Sequence, residues 1–150
     1  MDTEQIFSII SEKYGLKIAQ AAVFPEHFGI PNVIHSRGGH STANNEEIEF
    51  FLNIDEDNTI ESCWFTAHAA AIAIASAEAI CHLAEGIRVD MLHKVITEDS
   101  VIEFLETEIP DSDMLGVFLA QEAFRKCLLN LIPISRDPWK RFYTKPFSVS

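Results

Sequence analysis

The chain is poor in cysteine, in positive charge and in long apolar runs, and each shortage removes a class of function. Its three cysteines, Cys63, Cys81 and Cys127, are widely separated and make no Cys-x-x-Cys pair. That count fits a reducing compartment, and the spacing does not suggest a zinc or cluster site. Lysine and arginine number 11 against 23 aspartates and glutamates, a formal net charge of −12. Nucleic-acid phosphates would repel such a surface. No uncharged apolar run approaches the roughly 18 residues of a membrane span, and Ala67 to Cys81, the longest candidate, contains His68 and Glu78. The opening Met1-Asp2-Thr3-Glu4 is acidic and lacks the basic-then-apolar order of a signal peptide. The expectation is a cytoplasmic protein without nucleic-acid or membrane partners. A Gly-rich phosphate loop, Gly-x-Ser-x-Gly and His-Glu-x-x-His are also missing, so no catalytic residue is assigned and no enzymatic activity is expected. Acidic runs such as Asp55-Glu56-Asp57 read as solvated faces.

What is present is enough for one domain with a sizeable core: 150 residues, 47% of them hydrophobic, with 11 phenylalanines. Residues 3–20 read as a first helix with Thr3 as cap and Ile6, Ile9, Ile10 and Tyr14 on one face. Turn signals follow at Pro25, Gly29, Pro31 and Gly38-Gly39. Glu47 to Ile54 alternates as a strand with Ile48, Phe50, Leu52 and Ile54 inward, and Thr59 to Thr66 completes an antiparallel hairpin. Val33 to Ser36 offers a third strand. Phe51, opposite Phe50 and Leu52, is either exposed, which would suit a homo-oligomer, or covered by the first helix or the C-terminal tail. Ala69 to Glu85 is an alanine-rich helix ended by Gly86. A short element around Val89 to His93 comes next, then a helix Glu98 to Glu106 capped by Thr97. A last helix opens at Asp113, runs to about Leu131 and closes at Pro133. Strands followed by helices mean an α+β fold, a small antiparallel sheet of about three strands with helices on one face. Residues 133–150 hold Arg136, Lys140, Arg141 and Lys145 against Asp137, leaving −15 on the rest of the chain. Trp139, Phe142, Tyr143 and Phe147 interleave with these charges, as in a segment that folds back on the domain or docks elsewhere. Cys127 shares a helical face with Phe124, Leu128 and Leu131 and reads as a structural thiol, as does Cys81; Cys63, beside Trp64 on a strand, is less defined.

The order of these segments resembles the U-type iron–sulfur scaffolds, the IscU and NifU N-terminal family. The strand Ile60-Glu61-Ser62-Cys63-Trp64-Phe65 followed by Ala73-Ile74-Ala75-Ser76 is similar to the family's strand, loop and Ser-Ala-Ile-Ala-Ser helix. His27-Phe28-Gly29-Ile30-Pro31-Asn32 resembles its His-Tyr-x-x-Pro entry, and Glu85-Gly86-Ile87-Arg88-Val89-Asp90 its Lys-Gly-Lys-x-x-x-Glu region. Leu119-Ala120-Gln121-Glu122-Ala123 is similar to Leu-Ala-Glu-Asp-Ala. The likeness spans residues 26–131, so a single domain over 1–150 is expected, with an added N-terminal helix over 1–25 and a basic aromatic tail over 132–150.

The resemblance implies three cluster cysteines helped by an aspartate and a histidine, and none of the three cysteines stands in place. The family's cluster positions fall on Asn44, Ala70, Leu115 and Gly116. Amide, methyl and bare backbone offer no soft anionic donor for iron, and no nucleophile to receive a persulfide. The family's chaperone-binding Leu-Pro-Pro-Val-Lys aligns with Ile109-Pro110-Asp111-Ser112-Asp113, a charge reversal at Asp113. The expectation is a non-catalytic relative that binds or regulates partners such as a cysteine desulfurase or a cluster scaffold. One alternative is a single iron or zinc ion held by substitute ligands: His68 near Ala70, Glu46 at the helper position, and His40 and Asp113 near other vacated positions. Another is an unrelated interaction or small-ligand module. His27, His35, His82 and His93 show no ligand spacing and read as surface or packing residues.

Overall fold

The computed structural model describes residues 2–137. Two antiparallel pairings build one sheet in the order β1-β2-β3 from Ser36–Ser41, Glu47–Ile54 and Ile60–His68. Six α-helices accompany it: α1 (Thr3–Tyr14), α2 (Leu16–Val23), α3 (Ala71–Ala84), α4 (Leu92–Val95), α5 (Glu98–Leu105) and α6 (Met114–Arg136). The fold is α+β, as the sequence pattern requires. The residues named for the tail from Trp139 onward lie outside the described residues.

The expected first helix is two helices. Gly15 adopts φ 99°, left-handed territory that a side chain resists, and the chain bends there. Asp2 starts α1 instead of Thr3, accepting from the Gln5 N–H at 2.8 Å while Gln5 bonds back. Of the face expected to be buried, Ile6 and Ile9 are exposed, and only Ile10 and Tyr14 pack partly on the core.

The third strand also differs from expectation. It is Ser36–Ser41, not Val33 to Ser36, and it contains the Gly38-Gly39 pair read as a turn. Both glycines serve close packing. A Cβ on Gly38 would meet the Cys127 backbone nitrogen of α6 at 2.5 Å, and one on Gly39 the Ile48 carbonyl oxygen at 2.6 Å. With no side chain in the way, α6 lies directly on β1, and the Ser36 hydroxyl donates to the Cys127 carbonyl at 2.7 Å. The inner face of β2 carries Ile48, Phe50, Leu52 and Ile54 into the core, where the Phe50 and Phe124 rings meet edge-on at 5.4 Å. Phe51 faces the other way and is fully covered, with the Arg37 guanidinium 5.2 Å from its ring centre, so it offers no reason for self-association.

α3 is nearly all buried, which alanine permits because its small side chain lets helices approach on every side. Gly86, at φ 83°, turns the chain out of it. The short element after it is a 3₁₀ turn over Val89–Met91 leading into α4. Thr97 and Ser100 form the cap of α5. α6 continues past Leu131 and through Pro133 to Arg136. The proline removes the bond that its own nitrogen would give to the Leu129 carbonyl. In the last turn beside an exposed Leu129, that loss is tolerated.

Candidate functional site

The residues that the family resemblance assigns to cluster ligands, Asn44, Ala70, Leu115 and Gly116, lie near one end of the sheet. Asn44 sits in the β1–β2 turn and Leu115 in the first turn of α6, and both line one cavity of about 790 Å³. Ala70 precedes α3 and gives its backbone N–H to the Glu46 carboxylate at 2.8 Å. Gly116 rests against the start of the same helix: a Cβ there would stand 2.9 Å from the Ala73 nitrogen and 3.2 Å from Ile72 Cγ2. The space that a side chain at that position needs has been closed by α3.

The substitute ligands are engaged separately. Lys126 Nζ donates to His40 Nδ1 at 2.7 Å, Glu46 caps α3, and Asp113 accepts from the Tyr14 hydroxyl at 3.1 Å. His68 pairs across the sheet with Glu47 and shares a second cavity with His40 and Lys126. Among the described residues, no three of His40, Glu46, His68 and Asp113 bring ligand atoms within 4.8 Å of one another.

The cysteines lie elsewhere. Cys63 on β3 and Cys81 on α3 place their sulfurs 3.1 Å apart, both fully buried, and both are free thiols. Cys63 is five residues short of the end of β3 at His68, about 16 Å at the usual rise of a strand. Burial, then the Cys63 neighbour, push the Cys81 thiol well above its ordinary pKa. Cys127 is raised too, by burial under β1. Such thiols are poor nucleophiles and poor metal ligands.

A polar cluster that sequence spacing had dismissed is buried behind them. The segment before β1 lies along β3: His27 accepts from the Phe65 N–H at 2.9 Å, and Gly29 donates to the Phe65 carbonyl at 2.8 Å. This fixes His27, 8% exposed, against α3. Its backbone N–H reaches Glu78 Oε1 at 2.9 Å, its Nδ1 reaches Glu78 Oε2 at 2.6 Å, and its Nε2 reaches Glu85 Oε1 at 2.8 Å. Burial alone would lower the His27 pKa, but the hydrogen bonds to Glu85 and Glu78 outweigh it and hold the imidazole above its ordinary value. Glu85 also accepts from the Cys63 N–H at 3.2 Å. Glu26, exposed, completes a group with His27 and Glu78 whose ligand atoms all lie within 4.8 Å, the one such group among the described residues. A signal was present in the sequence: Glu78, His82 and Glu85 recur at i, i+4 and i+7, one face of an otherwise alanine-rich helix.

Against known proteins, the model of the family described as "NifU-like N terminal domain" matches residues 14–132. The chain belongs to that family. The fold of this NifU-like domain is shared with the N-terminal NifU-like protein of Brucella abortus, at TM-score 0.63 and 13% identity over 78% of this chain and 92% of that one. It is shared equally with a putative iron–sulfur cluster assembly scaffold protein for the SUF system from Fervidobacterium islandicum AW-1, at TM-score 0.62 and 17% identity, covering 79% and 98%. A hypothetical protein solved at 2.3 Å aligns at TM-score 0.51 with 17% identity over 87% and 88%. No curated protein sequence matches the chain. At these identities the likeness is one of fold, and α1 is an addition to it.

Proposed function

We propose that this NifU-like chain serves iron–sulfur cluster assembly as a non-catalytic, partner-binding or regulatory relative that carries no cluster of its own. The observation that carries the reading is the close packing of Gly116 on the backbone of α3, together with the absence of a thiol at Asn44, Ala70, Leu115 and Gly116, the positions that the family resemblance assigns to cluster ligands. Clusters are held by soft, anionic sulfur, and none is within reach of that end. The partners that fit are a cysteine desulfurase or a cluster-carrying scaffold, met in the cytoplasm. The contact surface would be the cavity end, where Leu115 and Phe118 stand 75% and 47% exposed on α6. Co-purification is the test. Untagged protein mixed with a desulfurase and a cluster-competent scaffold should co-elute with one of them, and Leu115→Asp should abolish that. Elution apart from both would overturn the reading. Anaerobic incubation with ferrous iron and sulfide should leave the protein colourless; a stable brown product would equally reject it.

A second reading draws on the cavity itself. About 790 Å³, lined largely by apolar groups including Leu92, Ile96, Phe124 and Leu128, is the size of a small-ligand pocket. Electron density for a co-purified apolar molecule there, in a crystal of protein that binds no assembly partner, would favour it.

A further inference from the structure

The chemistry left unexplained is at the opposite side of α3. Three carboxylates, Glu26, Glu78 and Glu85, surround the single imidazole of His27. Even with His27 protonated the negative charges outnumber the positive one. The nearby cation, Lys17, has its ammonium 4.4 Å above the Phe104 ring. A cavity of about 130 Å³ reaches two members of the cluster, Glu26 and Glu78, and is walled also by His82, Lys17, Phe24 and Phe104, with His27 just behind Glu78. Glu78 lies at its base, 6% exposed, while Glu26 stands in solvent at its mouth.

We infer that Glu26, His27 and Glu78 form a binding site for one divalent transition-metal cation of the zinc or ferrous-iron type. Nδ1 of His27 is the ligand nitrogen, because Nε2 is engaged by Glu85 at 2.8 Å. That contact is the carboxylate–histidine arrangement that fixes the tautomer and aim of a metal-bound imidazole. The cation displaces the proton shared between Nδ1 and Glu78 Oε2, and these two atoms, 2.6 Å apart without it, open to the separation of about 3 Å that two ligands on one ion require. A deep carboxylate, an imidazole and an outer carboxylate are the nitrogen and oxygen donors that borderline divalent ions prefer, and no thiolate enters to favour a soft ion. The cavity leaves room for water at the remaining positions. His82, whose ring centre is 6.2 Å from that of His27, places a further donor on the wall. The backbone bonds of His27 and Gly29 to Phe65 hold the His27 backbone on the sheet, so only the His27 ring and the carboxylates move to admit the ion.

Metal binding at this site does not depend on partner binding and is measured separately. Chelator-treated, untagged protein is dialysed against Zn²⁺, and separately against Co²⁺, whose visible spectrum reports the donor atoms. About one equivalent bound, with a nitrogen- and oxygen-ligated cobalt spectrum, is expected. Glu26→Gln, at an exposed position that does not burden the fold, should weaken binding tenfold or more, and Glu85→Gln by a similar factor because its carboxylate no longer orients the His27 ring. The double variant His40→Ala/His68→Ala should bind as the wild type does. Binding below about a tenth of an equivalent overturns the inference. So does full affinity in Glu26→Gln and Glu78→Gln, or loss of the ion in the double variant instead.

Discussion

His27 joins more of the molecule than any residue singled out from its sequence. It ties the segment before β1 to β3 through its backbone and to both Glu78 and Glu85 of α3 through its ring. Because its folded pKa is raised, the folded state holds the proton more tightly than the unfolded chain does. The stabilisation is therefore complete below the unfolded value of about 6.5 and is lost as pH rises through the folded value. In metal-free protein, the melting-temperature gap between wild type and His27→Gln should be widest near about pH 6 and narrow toward alkaline pH. A gap that stays constant across that range would show that packing, not charge, makes the contribution. At the same scale, the three thiols are buried with Cys81 and Cys127 raised. Under native conditions, maleimide should label them only as fast as the protein opens, and guanidine should release all three together. Rapid native labelling of Cys63 or Cys81 would contradict the packing described.

At the scale of elements, glycine decides where helices meet the sheet. α6 rides on Gly38, and a methyl there would drive into the backbone of Cys127 at 2.5 Å. Backbone on backbone has nowhere to yield, so Gly38→Ala should cost about 3 kcal/mol or more in denaturant unfolding, the upper end of overpacking. Gly86→Ala, which meets nothing within 4 Å but has φ 83°, should cost only about 1 kcal/mol. Equal losses in the two variants would reject the close-approach account. Gly116→Cys places a thiol at a position that the family resemblance assigns to a cluster ligand. Its Cβ would sit 2.9 Å from the Ala73 nitrogen, so destabilisation of about 1–3 kcal/mol and no gain of cluster binding are expected. A brown, stable Gly116→Cys protein in anaerobic reconstitution would show that α3 and α6 can part. The same elements show why strand assignment from sequence went astray: a glycine pair looks like a turn when its neighbours in the chain are considered, and becomes a strand only when a helix must lie on it.

Across the whole molecule, exposed apolar side chains occur on several elements, and Leu115 and Phe118 on α6 are two of them, both lining the cavity of about 790 Å³. Leu115→Asp should leave the melting temperature nearly unchanged, within about 0.5 kcal/mol of stability, because so little of that side chain is buried. A large loss would mean that the patch is part of the fold. No helix among the described residues is long and apolar enough to cross a membrane. The sheet's inner face, the alanine helix, the capped α5 and the long last helix were legible because each is written in local periodicity. What could not be read were the groups joined across the chain. His27 and Glu78 are 51 residues apart, and Cys63 and Cys81 are 18 apart on different elements.

The sequence alone determined the α+β plan and that thiols are available only at Cys63, Cys81 and Cys127, since side-chain alternation, helix propensity and the identity of a donor atom are properties of the chain itself. Only the tertiary structure decided that Gly116 packs against the backbone of α3 and that the His27 imidazole meets the carboxylates of Glu78 and Glu85. Those outcomes depend on how closely two backbones approach and on which distant polar groups must share one desolvated space, and neither distance is encoded in local sequence.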